Sequence, residues 1–389
     1  MIGEVPTTLG LNPVTVGRAP GVRPHVALFL PFLGGRGANR VMLNLANGFA
    51  ALGFATDLVL ASAKGEFMDR VAASVRVVDL QSPGVLKSLL PLSRYLRRER
   101  PVVMLTAMDY VNALSIVTRA LGGGRGTKLF VSCHNSLRHS VRNSPWLRDR
   151  LLPLFVRLTY WNADGVIAVS SGVADTTAEI TGLVRERIHV IYNPVVTPEF
   201  ERESMQPLDH PWFATGELPV ILGVGSLTRQ KGFDVLLEAF ALVRKQVAVR
   251  LVILGDGAER TSLLSMAEKL GVADDMRLPG FVGNPYPFMR AARLFVLSSR
   301  WEGFGLVLAE AMACGTAVVS TDCPSGPAEI LHGGKLGKLA PVENPERLAA
   351  AMLESLNTAP DREALLRRAA DFSQENILND YIRVMGLKI

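Results

Sequence analysis

Short apolar runs rich in Val, Ile and Leu alternate with segments of helix length along the chain, and after a proline-studded break the alternation starts again. Parallel strands covered by helices on both faces read as such near-continuous apolar runs, so the pattern predicts stacked strand–helix units. In the first half the predicted strands are His25 to Leu30, Ala55 to Leu60, Val75 to Leu80, Val102 to Leu105, Lys128 to Cys133, Gly165 to Val169 and Ile188 to Ile191. After Asn193-Pro194 come Pro198, Pro207, Pro211 and Pro219 in a polar stretch with Glu199, Glu201, Arg202 and Glu203, the best linker candidate. Strands resume at Val220 to Val224, Val249 to Leu254, Met276 to Leu278, Leu294 to Leu297 and Ala317 to Ser320. Two doubly wound α/β halves follow: residues 1–195 and 219–370, joined by 196–218, with a last helix over Asp371 to Met385. Open sheets of this kind bind ligands beyond the carboxyl ends of their strands, so functional residues are expected just after strands, in the cleft between the halves.

With 389 residues, 48% hydrophobic and 20% charged, the chain is long enough for two cores and too apolar to be disordered. Cys133, Cys314 and Cys323 are odd in number and widely spaced, which fits free thiols and a cytoplasmic location. Met1 to Gly21 lacks the basic start and apolar run of a secretory signal and reads as a loose tail, and no run of eighteen apolar residues occurs. Charge is uneven: Val85 to Tyr160 holds thirteen Lys/Arg against three acids, a balance of +10 in a chain of net charge +6. Within it, residues 86–98 and 146–161 mix Leu, Phe, Tyr and Trp with Arg and Lys. Both resemble helices that lie on an anionic membrane surface, the alternative being ordinary helices facing the sheet. Zinc-finger spacing and RNA-binding sheet motifs are missing, so nucleic acid is not an expected partner.

The most informative stretch is Glu302-Gly303-Phe304-Gly305-Leu306-Val307-Leu308-Ala309-Glu310, directly after a predicted strand. Gly303 and Gly305 let backbone approach a ligand, and the free N–H groups of a helix starting at Leu306 suit phosphate oxygens. Ionised glutamates only accept hydrogen bonds, so Glu302 and Glu310 suit sugar or ribose hydroxyls; alternatively both merely favour a helix start. Gly223-Val224-Gly225-Ser226-Leu227-Thr228-Arg229-Gln230-Lys231-Gly232 closes the second half's first strand with two basic side chains able to reach a diphosphate. Gly34-Gly35-Arg36-Gly37 holds the same place in the first half. It falls short of a dinucleotide fingerprint because Arg40 stands where the third glycine belongs. Gly255-Asp256-Gly257 forms a turn after another strand, with Asp256 a possible helix cap; Ser170-Ser171-Gly172 also reads as a helix cap.

The spacing Glu302 to Glu310 within EGFGLVLAEAMACG, followed by TDCPSGPAEIL from Thr321, resembles the signature of retaining glycosyltransferases of family 4, particularly bacterial polysaccharide-assembling members. The resemblance extends from about His25 to the last helix. It implies the GT-B architecture, two Rossmann-like domains facing across a cleft, with the final helix crossing back to the first. By the same resemblance Glu310 holds the nucleotide ribose, Glu302 contacts the donor sugar and His134 orients it, while Lys231 faces the diphosphate. Gly34, Gly35, Gly225, Ser226, Gly255, Gly303, Phe304, Gly305 and Leu306 line the nucleotide-sugar. Ser226 stands where the family usually has an arginine, and Arg229 is either its substitute or a solvated loop charge. His139 is an acceptor-side candidate. No Asp-x-Asp pair occurs, so no metal or cofactor is expected, the UDP- or GDP-sugar being a co-substrate. The expected reaction transfers a sugar to a hydroxyl of a lipid-linked or glycan acceptor at the cytoplasmic face of a membrane. A nucleotide-sugar epimerase or a phosphorylase is the alternative within this architecture. A dinucleotide oxidoreductase using Asp57, twenty residues beyond Gly37, lacks the third glycine in both loops.

Overall fold

The computed structural model describes residues 23–35, 37–135 and 147–388. Met1 to Gly21, Arg36, His139 and Trp146 lie outside them. Two parallel sheets carry the molecule. The first runs in the order β3-β2-β1-β4-β5-β6-β7, built from β1 (Arg23–Leu30), β2 (Phe54–Leu60), β3 (Val75–Asp79), β4 (Val103–Ala107), β5 (Lys128–Cys133), β6 (Gly165–Ala168) and β7 (Ile188–Val190). The second has β8 (Val220–Val224), β9 (Arg250–Leu254), β10 (Met276–Gly280), β11 (Leu294–Leu297), β12 (Val318–Thr321) and β13 (Lys338–Ala340) in the order β10-β9-β8-β11-β12-β13. In each sheet the order reverses beside the first strand, between β1 and β4 and between β8 and β11. The crevice beyond the carboxyl ends at such a switch point is where this kind of sheet binds ligands.

Alternate residues of the first sheet feed different cores, as the two-residue period of a strand requires. Ala27 and Phe29 of β1 pack with Leu92, Tyr95, Val111, Val156 and Val173 from the helices on one face. Val26, Leu28 and Leu30 pack on the other face with Val41, Met42, Leu45, Leu378 and Tyr381. The last two belong to the helix Gln374–Met385, which therefore completes the first lobe although it follows the second.

The chain crosses between lobes twice, side by side. Val196 pairs with Ser373 in a parallel bridge, and the Val195 N–H donates to the Phe372 carbonyl at 2.8 Å. Beside this double crossing, Tyr192 of the first lobe and Phe304 of the second lie 5.6 Å apart, and Phe372 stacks edge-on against both at 5.5 and 5.2 Å. The stretch 196–218, expected as a polar linker, is folded onto the second lobe. Phe200 of the short helix Phe200–Ser204 meets Tyr286 at 4.6 Å between rings, and the Arg250 and Arg277 guanidiniums lie over the Trp212 ring, 4.8 and 4.5 Å from its centre.

Candidate active site

The second-lobe wall is made by loops that touch backbone to backbone, which is why glycines stand there. A Cβ on Gly255 (φ +141°) would sit 1.9 Å from the Gly225 carbonyl oxygen, and one on Gly232 (φ +60°) 2.2 Å from that of Ser298. These contacts join the ends of β8, β9 and β11 into one surface. Asp256 is not a helix cap: its carboxylate accepts the neighbouring Gly257 N–H at 2.8 Å, and the helix Arg260–Lys269 begins only after Glu259.

On this surface the turn Arg229–Lys231 presents Lys231 Nζ 2.6 Å from Glu302 Oε1, and the Ser299 hydroxyl donates to the same oxygen at 2.7 Å. Glu302 is buried. Arg300, which sequence reasoning passed over, holds the turn from behind. It donates to the Arg229 carbonyl at 2.9 Å, takes both Asp234 oxygens at 2.8 Å and reaches Glu343 at 2.8 Å, and these carboxylates hold its pKa above the usual arginine range. The Arg229 side chain and Ser226 are exposed at the lip of the loop.

After β11, Gly303 to Gly305 lead into the helix Leu306–Ala313. Its cap, Gly305 (φ +100°), offers no side-chain hydrogen bond, and the first turn carries no acidic residue, so the positive end of the helix is uncapped. The Phe304 side chain is buried in the aromatic cluster, leaving only its backbone for a ligand. Leu306 faces the first lobe: a Cβ on Gly37 would come 2.8 Å from its Cδ1. One turn further along the helix, Glu310 is 1% exposed and pairs with Arg40 of the first lobe, while its Oε2 has no hydrogen-bond partner.

The first lobe supplies the facing wall. The Gly34 carbonyl accepts from Asn39 at 3.0 Å, and the Gly35 N–H donates to Glu66 at 2.9 Å. Gly35 lies against the exposed Phe281 ring of the second lobe, 3.6 Å from where its Cβ would be. His134 follows β5, half-buried, with Nε2 3.0 Å from Ser132 Oγ, and burial pushes its pKa down to about 4, so it is neutral at neutral pH. A Cβ on Gly303 would lie 1.9 Å from the His134 carbonyl oxygen, and Ser170 Oγ, besides capping its own helix through Val173 N, donates to the Gly303 carbonyl at 2.6 Å. The lobes also meet where Glu329 accepts the Ser171 and Gly172 N–H groups at 2.9 and 3.1 Å. The structure thus gathers Lys231, Glu302, Gly303, Gly305, Glu310, Gly34, Gly35 and His134 along one seam. Arg40 and Glu329 join them unforeseen, while Ser299 and Arg300 support Glu302 and the Lys231 turn from behind. Asp57 is elsewhere: buried in mid-strand among His25, Arg76 and Tyr95, whose hydrogen bonds hold its carboxyl well below the usual range against the opposing cost of burial. Among the described residues no cluster of three or more His, Cys, Asp or Glu is placed to hold a metal ion.

Two facing parallel-sheet lobes with a glycine-lined seam between their strand ends make up the GT-B architecture. The family models Glycosyltransferase Family 4 and Glycosyl transferases group 1 match residues 35–198 and 208–372, and the chain belongs to this family. It is 28% identical over 361 residues to the lipopolysaccharide core biosynthesis glycosyltransferase LpsE of Rhizobium meliloti, covering 90% of this chain and 96% of that one. It is 25% identical to a Campylobacter jejuni N-acetylgalactosaminyltransferase whose name specifies a diphospho-undecaprenol-linked glycan, covering 92% and 99%. Among solved structures, Anabaena HepE in complex with UDP and glucose superposes with a TM-score of 0.74 at 18% identity, covering 93% of this chain and 99% of that one.

Proposed function

We propose that this chain transfers a sugar, with retention at the anomeric carbon, from a UDP- or GDP-linked donor to a hydroxyl of a lipid-linked or glycan acceptor in cell-surface glycan synthesis. The observation that carries this is the pairing of Lys231 with buried Glu302 beside the uncapped helix start at Gly305. The pair and the helix end bring a cation, free N–H groups and a carboxylate side by side, a set suited to the charge of a leaving diphosphate and to a donating sugar hydroxyl. Glu310 takes the ribose and neutral His134 a donor-sugar hydroxyl, while Arg229 at the lip of the loop is free to swing toward the diphosphate. The nucleotide and sugar held by HepE, and the glycan-assembling roles in the names of LpsE and the Campylobacter enzyme, support the reading. Incubation with labelled UDP- and GDP-sugars and polyprenyl-diphosphate glycans tests it: Lys231→Ala slows transfer and Glu310→Gln weakens donor binding. Equal turnover by wild type and both variants removes the assignment, and full isomerisation of the donor without acceptor makes the chain an epimerase.

Contact with the cytoplasmic face of an anionic membrane belongs to the same proposal. The helix Leu147–Thr159 is apolar on both sides: Val156 packs on the sheet, while Leu151, Leu154, Phe155 and Leu158 form an exposed stripe flanked by Arg150 and Arg157. The helix Leu89–Glu99 adds exposed Leu90 with Arg94, Arg97 and Arg98, and the preceding turn adds Leu86, 83% exposed. The helix Asp109–Ala120 packs between these two, so all lie on one face of the first lobe. Among the described residues no helix is long and apolar enough to cross a membrane. Sedimentation with phosphatidylglycerol vesicles but not phosphatidylcholine vesicles, lost in Leu154→Asp/Phe155→Asp, is the expected result; equal binding by the double variant refutes the surface.

A further inference from the structure

Glu310 is among the most deeply buried carboxylates of the molecule, and what holds its charge comes from the opposite lobe. Arg40, on the helix Gly37–Ala51 of the first lobe, pairs with Oε1, and its guanidinium lies 5.8 Å from the centre of the Tyr286 ring. It is the one ion-pair partner of Glu310 among the described residues. Oε2 is buried as well and accepts nothing. A buried acceptor without a donor is costly, and a buried carboxylate without a cation is costlier still. The two oxygens therefore differ: one is matched to a charge, and the other lacks a donor.

We infer that Arg40 is a positioning residue for nucleotide binding: it stays paired with Glu310 Oε1 while a ribose hydroxyl donates to Oε2. This rests on the reading of Glu310 as the ribose carboxylate. The alternative, in which the nucleotide displaces Arg40, asks neutral hydroxyls to replace a guanidinium beside a desolvated carboxylate, which they cannot do without leaving a buried charge uncompensated. The ribose site is thus complete only when the lobes are together, because half of it belongs to each. Gly37 against Leu306, at the start of both helices, sets how closely they approach. Nucleotide binding and lobe closure become one equilibrium, since only the closed arrangement offers a carboxylate whose charge is matched.

Calorimetric titration of the full chain with UDP and with GDP, using whichever the wild type binds, tests the inference. Arg40→Met is expected to weaken that nucleotide about ten- to a hundredfold, the range of a lost charge-assisted hydrogen bond, and Arg40→Lys less. In a Glu310→Gln background, Arg40→Met should cause little further loss, whereas a residue that only supports the fold would cause the same loss in both backgrounds. Donor KM should rise with kcat nearly unchanged, because the contact is alike in ground and transition states. If Arg40→Met does not fold, Arg40→Lys carries the same cycle. Unchanged or tighter binding by the Arg40 variants, or losses that add in the double variant, overturns the positioning role while leaving Glu310 its own. Wild type binding neither nucleotide, or Glu310→Gln binding like wild type, removes the ribose reading and the inference with it.

Discussion

Replacing Gly303 by alanine adds one carbon to the molecule and places it 1.9 Å from the His134 carbonyl oxygen, an atom of the other lobe. Gly303 does not have the left-handed backbone that favours glycine, so the substitution carries no conformational strain and its whole effect lies in that contact. Ordinary contact begins near 3.4 Å, so the seam must open locally by about 1.5 Å. Backbone faces backbone there, and no side chain can rotate away. The Ser170 hydroxyl, just beyond the end of β6, the neighbour of the β5 strand that His134 follows, donates to the Gly303 carbonyl at 2.6 Å, and the same movement carries it past hydrogen-bonding range.

Loss of that one bond costs about 1 kcal/mol, and each lobe keeps its own core, so the melting temperature should fall by only about 2–4 °C. Function should suffer far more. The opening separates His134 from the Glu302–Gly305 loop and loosens the approach of Arg40 to Glu310, so sugar transfer should fall about tenfold or more. X-ray scattering should report a larger radius of gyration. Gly84→Ala is the control, since Gly84 is extended and a Cβ there meets nothing within 4 Å. A Gly303→Ala variant with unchanged scattering and turnover would refute the view that the lobes work in this closed register.

Three further outcomes follow from the charges. Burial holds His134 near 4 against an ordinary 6.5, so the unfolded chain takes up its proton first and this group's stability contribution is lost as pH falls from about 6.5 toward 4; imidazole NMR should show a midpoint near 4, and one near 6.5 contradicts the burial. Asp109, raised by burial to about 6 from an ordinary 3.8 despite the Tyr160 hydroxyl at 2.8 Å, is a cost once ionised; Asp109→Asn should therefore stabilise the protein by about 1–2 kcal/mol above pH 6 and not at pH 4, as read from urea midpoints. Removing the cation in Lys231→Met leaves Glu302 buried and unmatched, at about 3 kcal/mol; adding Glu302→Gln should restore most of the stability but not the turnover, and restored turnover would separate this pair from the chemistry.

Within each lobe the fold was legible because a parallel strand buried on both faces has to be an apolar run: Lys128–Cys133, Val220–Val224 and Leu294–Leu297 were read to the residue. The strand Lys338–Ala340 was not, since it is three residues long and buries fully only Ala340. Prolines and charges made 196–218 look like a tether, although Phe200 and Trp212 in the same stretch have aromatic and cationic partners on the second lobe. Local spacing also located Glu302 and the Gly305 helix start in the loop after β11 and Lys231 in the loop after β8, while the roles given to Lys231, Glu302 and Glu310 came from the family resemblance.

What spacing could not supply is any relation across the seam. Arg40 was visible only as the residue that spoils a glycine fingerprint, and its meaning depends on a carboxylate 270 positions further along the chain. Ser170 and Gly172 read as ordinary residues of a helix start, and they are, Ser170 as its cap and Gly172 in its first turn, yet the Ser170 hydroxyl donates to Gly303 and the Gly172 N–H donates to Glu329, both of the other lobe. The same chemistry serves two ends: the cap oxygen that accepts from its own helix start still has a proton to give across the seam, and a free N–H of that helix start meets an acceptor there, both at no extra conformational cost. That economy hides the interlobe contacts from a linear reading. It also means that residues which look merely structural in one lobe, Arg40 and Ser170 foremost, are where substitutions should disturb closure without disturbing either core.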